Sequence, residues 1–175
     1  ANNTTADSNT AVGNSALTTN ITGASNTAVG SYALGNNIAS NNTSVGFSAL
    51  ISNTTGTNNV AVGANALDAN TTGQQNIAIG AHALSGVTTG DFNTAVGHEA
   101  LFANTTATHN TAVGRHALVS NTTGADNTAV GSGALDAVTT GSFNTAVGAR
   151  ALGATTSSGS CAVGEDALMT ATTGT

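Results

Sequence analysis

The chain has 175 residues, of which 6% are charged, 3% aromatic and 39% hydrophobic. An ordinary soluble domain carries about 25% charged residues. Formal net charge is -6, with only two cationic Lys or Arg side chains. That excludes the clustered cations that neutralise nucleic-acid phosphates or dock on anionic membranes. No run approaches the roughly 20 apolar residues of a membrane helix, and one cysteine permits no internal disulfide.

Polar low-complexity tracts are disordered when their apolar residues are few and scattered. Here they are ordered by a repeat. The anchor first reads Asn9-Thr10-Ala11-Val12-Gly13, followed by Ala16-Leu17. It returns as Val29-Gly30 with Leu34, Val45-Gly46 with Leu50, and Val62-Gly63 with Leu67. Next come Ile79-Gly80 with Leu84, Val96-Gly97 with Leu101, and Val113-Gly114 with Leu118. The last three are Val130-Gly131 with Leu135, Val147-Gly148 with Leu152, and Val163-Gly164 with Leu168. The steps are 17 residues, except for two steps of 16, into Gly46 and into Gly164. Between anchors runs a linker such as Asn70-Thr71-Thr72-Gly73.

Each unit predicts the same elements in the same order. Thr-Ala-Val is a short strand by propensity. The glycine supplies a backbone conformation closed to other residues, and so a tight turn. A second short strand is expected around Ala-Leu, then a turn at Asn-Thr-Thr-Gly. Thr, Val, Asn and Gly are poor helix formers, and no helical period persists. The reading is all-β: a parallel β-solenoid of about ten 17-residue coils, one domain over residues 1–175. Coils stacked about 4.8 Å apart make a rod roughly 48 Å long. Stacking lays the leucines in one apolar column and the leading asparagines in an amide ladder.

Alternation sends Thr and Val to one side of the strand and Ala to the other. Neither side is polar enough to face water, so one side is expected to face the coil interior and the other another chain. The Val or Ile and Leu columns are therefore the expected core and oligomer interface, and the glycines the turns. Neither end carries a capping repeat, so the segment is expected to belong to a longer fibre.

At the level of Thr-Ala-Val-Gly-x-x-Ala, taken ten times over the whole chain, the repeat resembles the YadA-like head repeats of trimeric autotransporter adhesins. Similar runs look like those of bacteriophage tail-fibre and related bacterial fibre proteins. The resemblance implies a left-handed β-roll, a parallel homotrimer and attachment at a cell surface, anchored in an outer membrane or carried on a virion. The family's repeat is shorter than this one, which places the difference in the Asn-Thr-Thr-Gly loop. Its partners would be two further copies of itself and a host or prey cell-surface glycan or protein. Nucleic acid, direct membrane insertion, cofactors and catalysis are not expected.

Several side chains suggest other chemistry. His82, Glu99 and His116 share one repeat position in consecutive coils, with His98 and Arg115 beside them. His and Glu can ligate a metal at about 2 Å. Two coil spacings are too long for all three to share one ion, so an exposed polar column is expected, unless repeated chains bring like histidines together. Glu165-Asp166 reads as a solvated turn. The Thr71-Thr72 pair and its counterparts evoke ice binding, but adjacent threonines point to opposite sides and suit hydroxyl-capped turns. Asn20, Asn53, Asn70, Asn104 and Asn121 form Asn-x-Thr sequons, Cys161 reads as a buried small group, and Phe92, Phe102 and Phe143 as packing over the coil edge.

Overall fold

The computed structural model describes residues 5–170; residues 1–4 and 171–175, which carry most of the two terminal linkers, lie outside them. Ten three-residue strands form one parallel sheet in sequence order. They are β1 (Thr10–Val12), β2 (Thr27–Val29), β3 (Thr43–Val45), β4 (Val60–Val62), β5 (Ile77–Ile79), β6 (Thr94–Val96), β7 (Thr111–Val113), β8 (Thr128–Val130), β9 (Thr145–Val147) and β10 (Cys161–Val163). Each strand pairs in register with the same residues of the next coil, as Thr94 with Thr111 and Val96 with Val113. The chain is thus a β-solenoid, and repeat identity becomes stacking identity.

Strand alternation is resolved cleanly. The central Ala of β2 and β4 to β9 is fully buried, whereas the flanking Thr and Val lie outside. Only a small side chain fits the interior at that point. The one polar replacement, Ser44, is buried and donates its hydroxyl to the Ala49 carbonyl at 2.7 Å. Nine leucines, Leu17 to Leu152, fill the rest of the core with the neighbouring alanines, Val87 and Val138. Leu168, in the last coil, is 48% exposed. The strand valines do not enter this core: Val12, Val45, Val113, Val130, Val147, Val163 and Ile79 are 36–72% exposed on the outer face of the sheet.

The second strand expected around Ala-Leu does not form. Residues 14–19 and their counterparts are turns. The leucine itself is left-handed, with φ +53° at Leu101. That conformation costs an L-residue about 1–2 kcal/mol. Full burial of a leucine returns about 1.5–3 kcal/mol, and the Leu101 N–H also donates to Ala117 O in the next coil at 3.0 Å. Burial and pairing together outweigh the strain. The glycine after each strand has a stricter reason. At Gly97, φ is +136° and an added Cβ would sit 2.6 Å from the Gly114 carbonyl carbon. No side chain fits between coils there.

The amide ladder forms, and it is buried. Asn76 accepts the Asn93 backbone N–H at 2.9 Å and donates Nδ2 to Gly90 O at 2.8 Å. The same double bond recurs from coil to coil, as at Asn59 and Asn127. Its oxygen reaches the next coil and its nitrogen closes its own. A second buried column is formed by Asn20, Asn37, Asn53, Asn70, Asn104 and Asn121, with Val87 and Val138 taking the same place in two coils. This column contains the linker sequon asparagines Asn20, Asn53, Asn70, Asn104 and Asn121. Their amides are fully buried, so the folded chain offers no glycan acceptor at these positions.

Candidate functional site on the coil edge

The filled interior leaves chemistry to the edges. A shallow hollow of about 200 Å³ is lined by Ser15, Thr18, Thr19, Tyr32, Gly35, Asn36 and Ile51. Apart from the Tyr32 phenol it holds no titratable group.

The two residues after each glycine form the chemically varied edge. The second of them is left-handed in every coil, for instance Glu99 at φ +55° and His116 at +59°. Rings stack up this edge. Tyr32 meets Phe47 edge-on at 6.2 Å between centroids, and His98 lies 5.8 Å from His116. At its far end Arg150 grips Asp166 through two bonds, Nε–Oδ1 2.6 Å and Nη2–Oδ2 2.7 Å, and reaches Glu165 at 3.4 Å. Hydrogen bonding to Arg150, joined by its positive charge, holds the Asp166 carboxyl below its ordinary value. The Glu165-Asp166 pair expected to be merely solvated therefore has a partner, in an ion pair exposed at the surface.

Of the three column residues His82, Glu99 and His116, two come together. Glu99 Oε2 lies 3.0 Å from His116 Nε2. His82 is not part of this group: its ring meets His98 and Phe102 edge-on, each at 6.4 Å. The third member is His98, whose Nε2 is 3.9 Å from Glu99 Oε1. Column counting missed it because His98 and Glu99 both project from the same turn. Asp136 lies nearby in the following coil. Partial burial raises its carboxyl, opposed by backbone N–H bonds from Asp136 and Ala137 and by the His116 charge.

The linker edge is less reactive. Thr54, Thr71, Thr105 and Thr122 donate their hydroxyls to carbonyls one coil on, at 2.9–3.2 Å. These hydroxyls cap turns rather than face water as a free lattice. Phe92 stacks on His109 at 5.0 Å and 13°, the edge packing expected of it, while Phe143 is 67% exposed. Cys161 is exposed, not buried, because it occupies the outward Thr place of β10. Among the described residues no helix is long and apolar enough to cross a membrane.

These features define a parallel β-solenoid repeat protein with a buried amide spine, an apolar outer sheet face and a varied edge. No protein-family model, curated protein or solved structure matches the chain.

Proposed function

We propose that the chain is a rod segment of a surface fibre, a parallel homotrimer that is structural and adhesive rather than catalytic. The observation that carries this reading is the outer face of the sheet. Its Val or Ile column runs through all ten strands while the interior is already filled. Exposed apolar strips of that continuity mark interaction surfaces. The partner that matches a repeat of one register is another copy with the same register, which favours parallel self-association. The count of three follows the resemblance to YadA-like heads and phage fibres, as does placement at a cell surface or on a virion.

Adhesion would use the varied edge, whose post-glycine pairs differ in every coil while the core positions stay fixed. Weak contacts to a host or prey glycan or protein then add along the rod through effective concentration. A rod that only spaces a distal tip would use the same outer face but not the edge. Thr54 and Thr71, the first threonines of their pairs, commit their hydroxyls to the next coil, which leaves one exposed threonine column in place of the flat lattice that ice binding wants.

Sedimentation equilibrium tests the assembly. The parent chain should run as a trimer. Val113→Lys keeps the coil intact, because residue 113 lies outside the core, but buries a charge between chains. At several kcal/mol per buried ion, association should weaken about 100-fold or more with the β spectrum unchanged. A parent chain that is a stable folded monomer overturns the proposal.

A further inference from the structure

Three of the four imidazoles in the chain, His82, His98 and His116, stand on the post-glycine edge of three consecutive coils, with Glu99 among them. Glu99 and His116 are 17 residues apart and share one column, so one coil spacing of about 4.8 Å separates their backbones. The Glu99 carboxylate lies between two rings: Oε1 is 3.9 Å from His98 Nε2 and Oε2 is 3.0 Å from His116 Nε2. One ligand atom from each of the three residues lies within 4.8 Å of the others.

Ligands about 2.0 Å from a tetrahedral ion stand about 3.3 Å apart. The Glu99 oxygens lie 3.0 and 3.9 Å from the two ring nitrogens, so binding asks only for a modest inward shift, chiefly of His98. That residue is free to make it. Its side chain is 51% exposed, and among the described residues its ring meets Glu99, the edge of His82 and the tilted ring of His116. The same turn geometry that misled column counting thus produces a convergent donor set.

We propose that His98, Glu99 and His116 form a binding site for a divalent transition metal, with Zn²⁺, Ni²⁺ and Cu²⁺ as the fitting ions. Two imidazoles with one carboxylate suit these borderline ions, whereas Ca²⁺ and Mg²⁺ take oxygen ligands. The remaining coordination position opens to solvent. The charges around the set are Arg115, one coil beyond His98 in its column, and Asp136 beside His116. With Glu99 they leave the neighbourhood net negative, which favours a cation. The site ties the coil of β6 to that of β7, and the ion would stabilise the rod by mass action. It occurs once, since the coils on either side offer Ala81-His82 and Ser132-Gly133 at these places. This inference is independent of the fibre reading and stands or falls on its own test.

Calorimetric titration of the full chain with ZnCl₂ or NiCl₂ should give one saturable site per chain. His98→Ala, Glu99→Gln and His116→Ala should each weaken it by at least the roughly 10- to 100-fold typical of an outer-shell change, with circular dichroism unchanged. His82→Ala should keep the parent affinity. Lowering the pH should release the ion, because imidazole must be deprotonated to ligate. Added metal should also raise the melting temperature of the parent and not of His116→Ala. Absence of binding tighter than about 1 mM, full binding by His116→Ala, or a loss in His82→Ala equal to that in His116→Ala would each overturn the proposal.

Discussion

Two asparagines of the buried spine should respond oppositely to the same substitution. Asn76 carries two bonds that nothing else replaces. Its Oδ1 is the acceptor for the Asn93 backbone N–H at 2.9 Å, and its Nδ2 donates to Gly90 O at 2.8 Å. In that coil Val87 stands where a second asparagine would otherwise reach the same carbonyl. Asn76→Val therefore leaves one buried donor and one buried acceptor unpaired. At about 1–3 kcal/mol each, the loss is about 2–6 kcal/mol. Asn121 differs. Its Oδ1 is buried without a partner, and its Nδ2 donates to Gly124 O, which Asn110 also serves at 2.8 Å. Asn121→Val removes an unsatisfied oxygen and strands nothing, so its effect should lie near zero or be slightly stabilising. Urea melts of both variants, with native-state hydrogen exchange at the Asn93 amide, separate them. With m of about 2 kcal/mol per M, Asn76→Val should lower the midpoint by about 1–3 M and expose that amide. Equal losses in the two variants would refute the division of the spine into an obligatory column and a replaceable one.

Deleting residues 94–110 removes one full coil and joins Asn93 to Thr111 in register; the rod should shorten by about 4.8 Å in small-angle scattering and stay folded. Deleting only 94–101 places unlike residues over one another and should abolish the β spectrum around the cut, and equal tolerance of both would contradict the stacking. Asp136 offers a pH test. Its folded carboxyl is raised from the ordinary 3.8 chiefly by burial, so the folded chain keeps that proton to higher pH than the unfolded chain. Stability then falls as pH rises from the ordinary value through the folded one. Asp136→Asn should flatten that fall in urea melts across the window, with a change at neutral pH within about 0.5 kcal/mol.

The fold was legible because the signal is repetition, and stacking turns repetition directly into contact. The 17-residue step, the leucine column and the first asparagine ladder all follow from laying like over like, whereas which strand face turns inward does not. What failed to show is what repetition cannot encode. Propensity reads Ala-Leu as a strand, yet Leu101 is left-handed, because burial and a bond to the next coil outweigh the local preference. The linker asparagines read as surface sequons, because Asn beside Thr and Gly has the chemistry of an exposed turn. Only Val87 and Val138, apolar residues at that same place in two coils, signal that the position is buried. On the edge, column counting grouped His82 with Glu99 and His116, whereas lateral neighbours within one turn bring in His98.

That last distinction bears on where function can reside at all. Interior positions are dictated coil by coil: a Cβ at the glycine collides with the next backbone, and the strand alanine has no room to grow. No charged residue or histidine falls within the ten strands; the described ones lie in the turns and linkers. Variation is therefore admitted only where it does not interrupt the stack. A rod built this way can change its edge chemistry without changing its stability, since surface substitutions usually cost little. The outer Val column is the exception. It is free of the core, yet stays Val or Ile in all ten coils; strand propensity favours that choice within one chain, and the proposed contact with another copy would add a second reason for it.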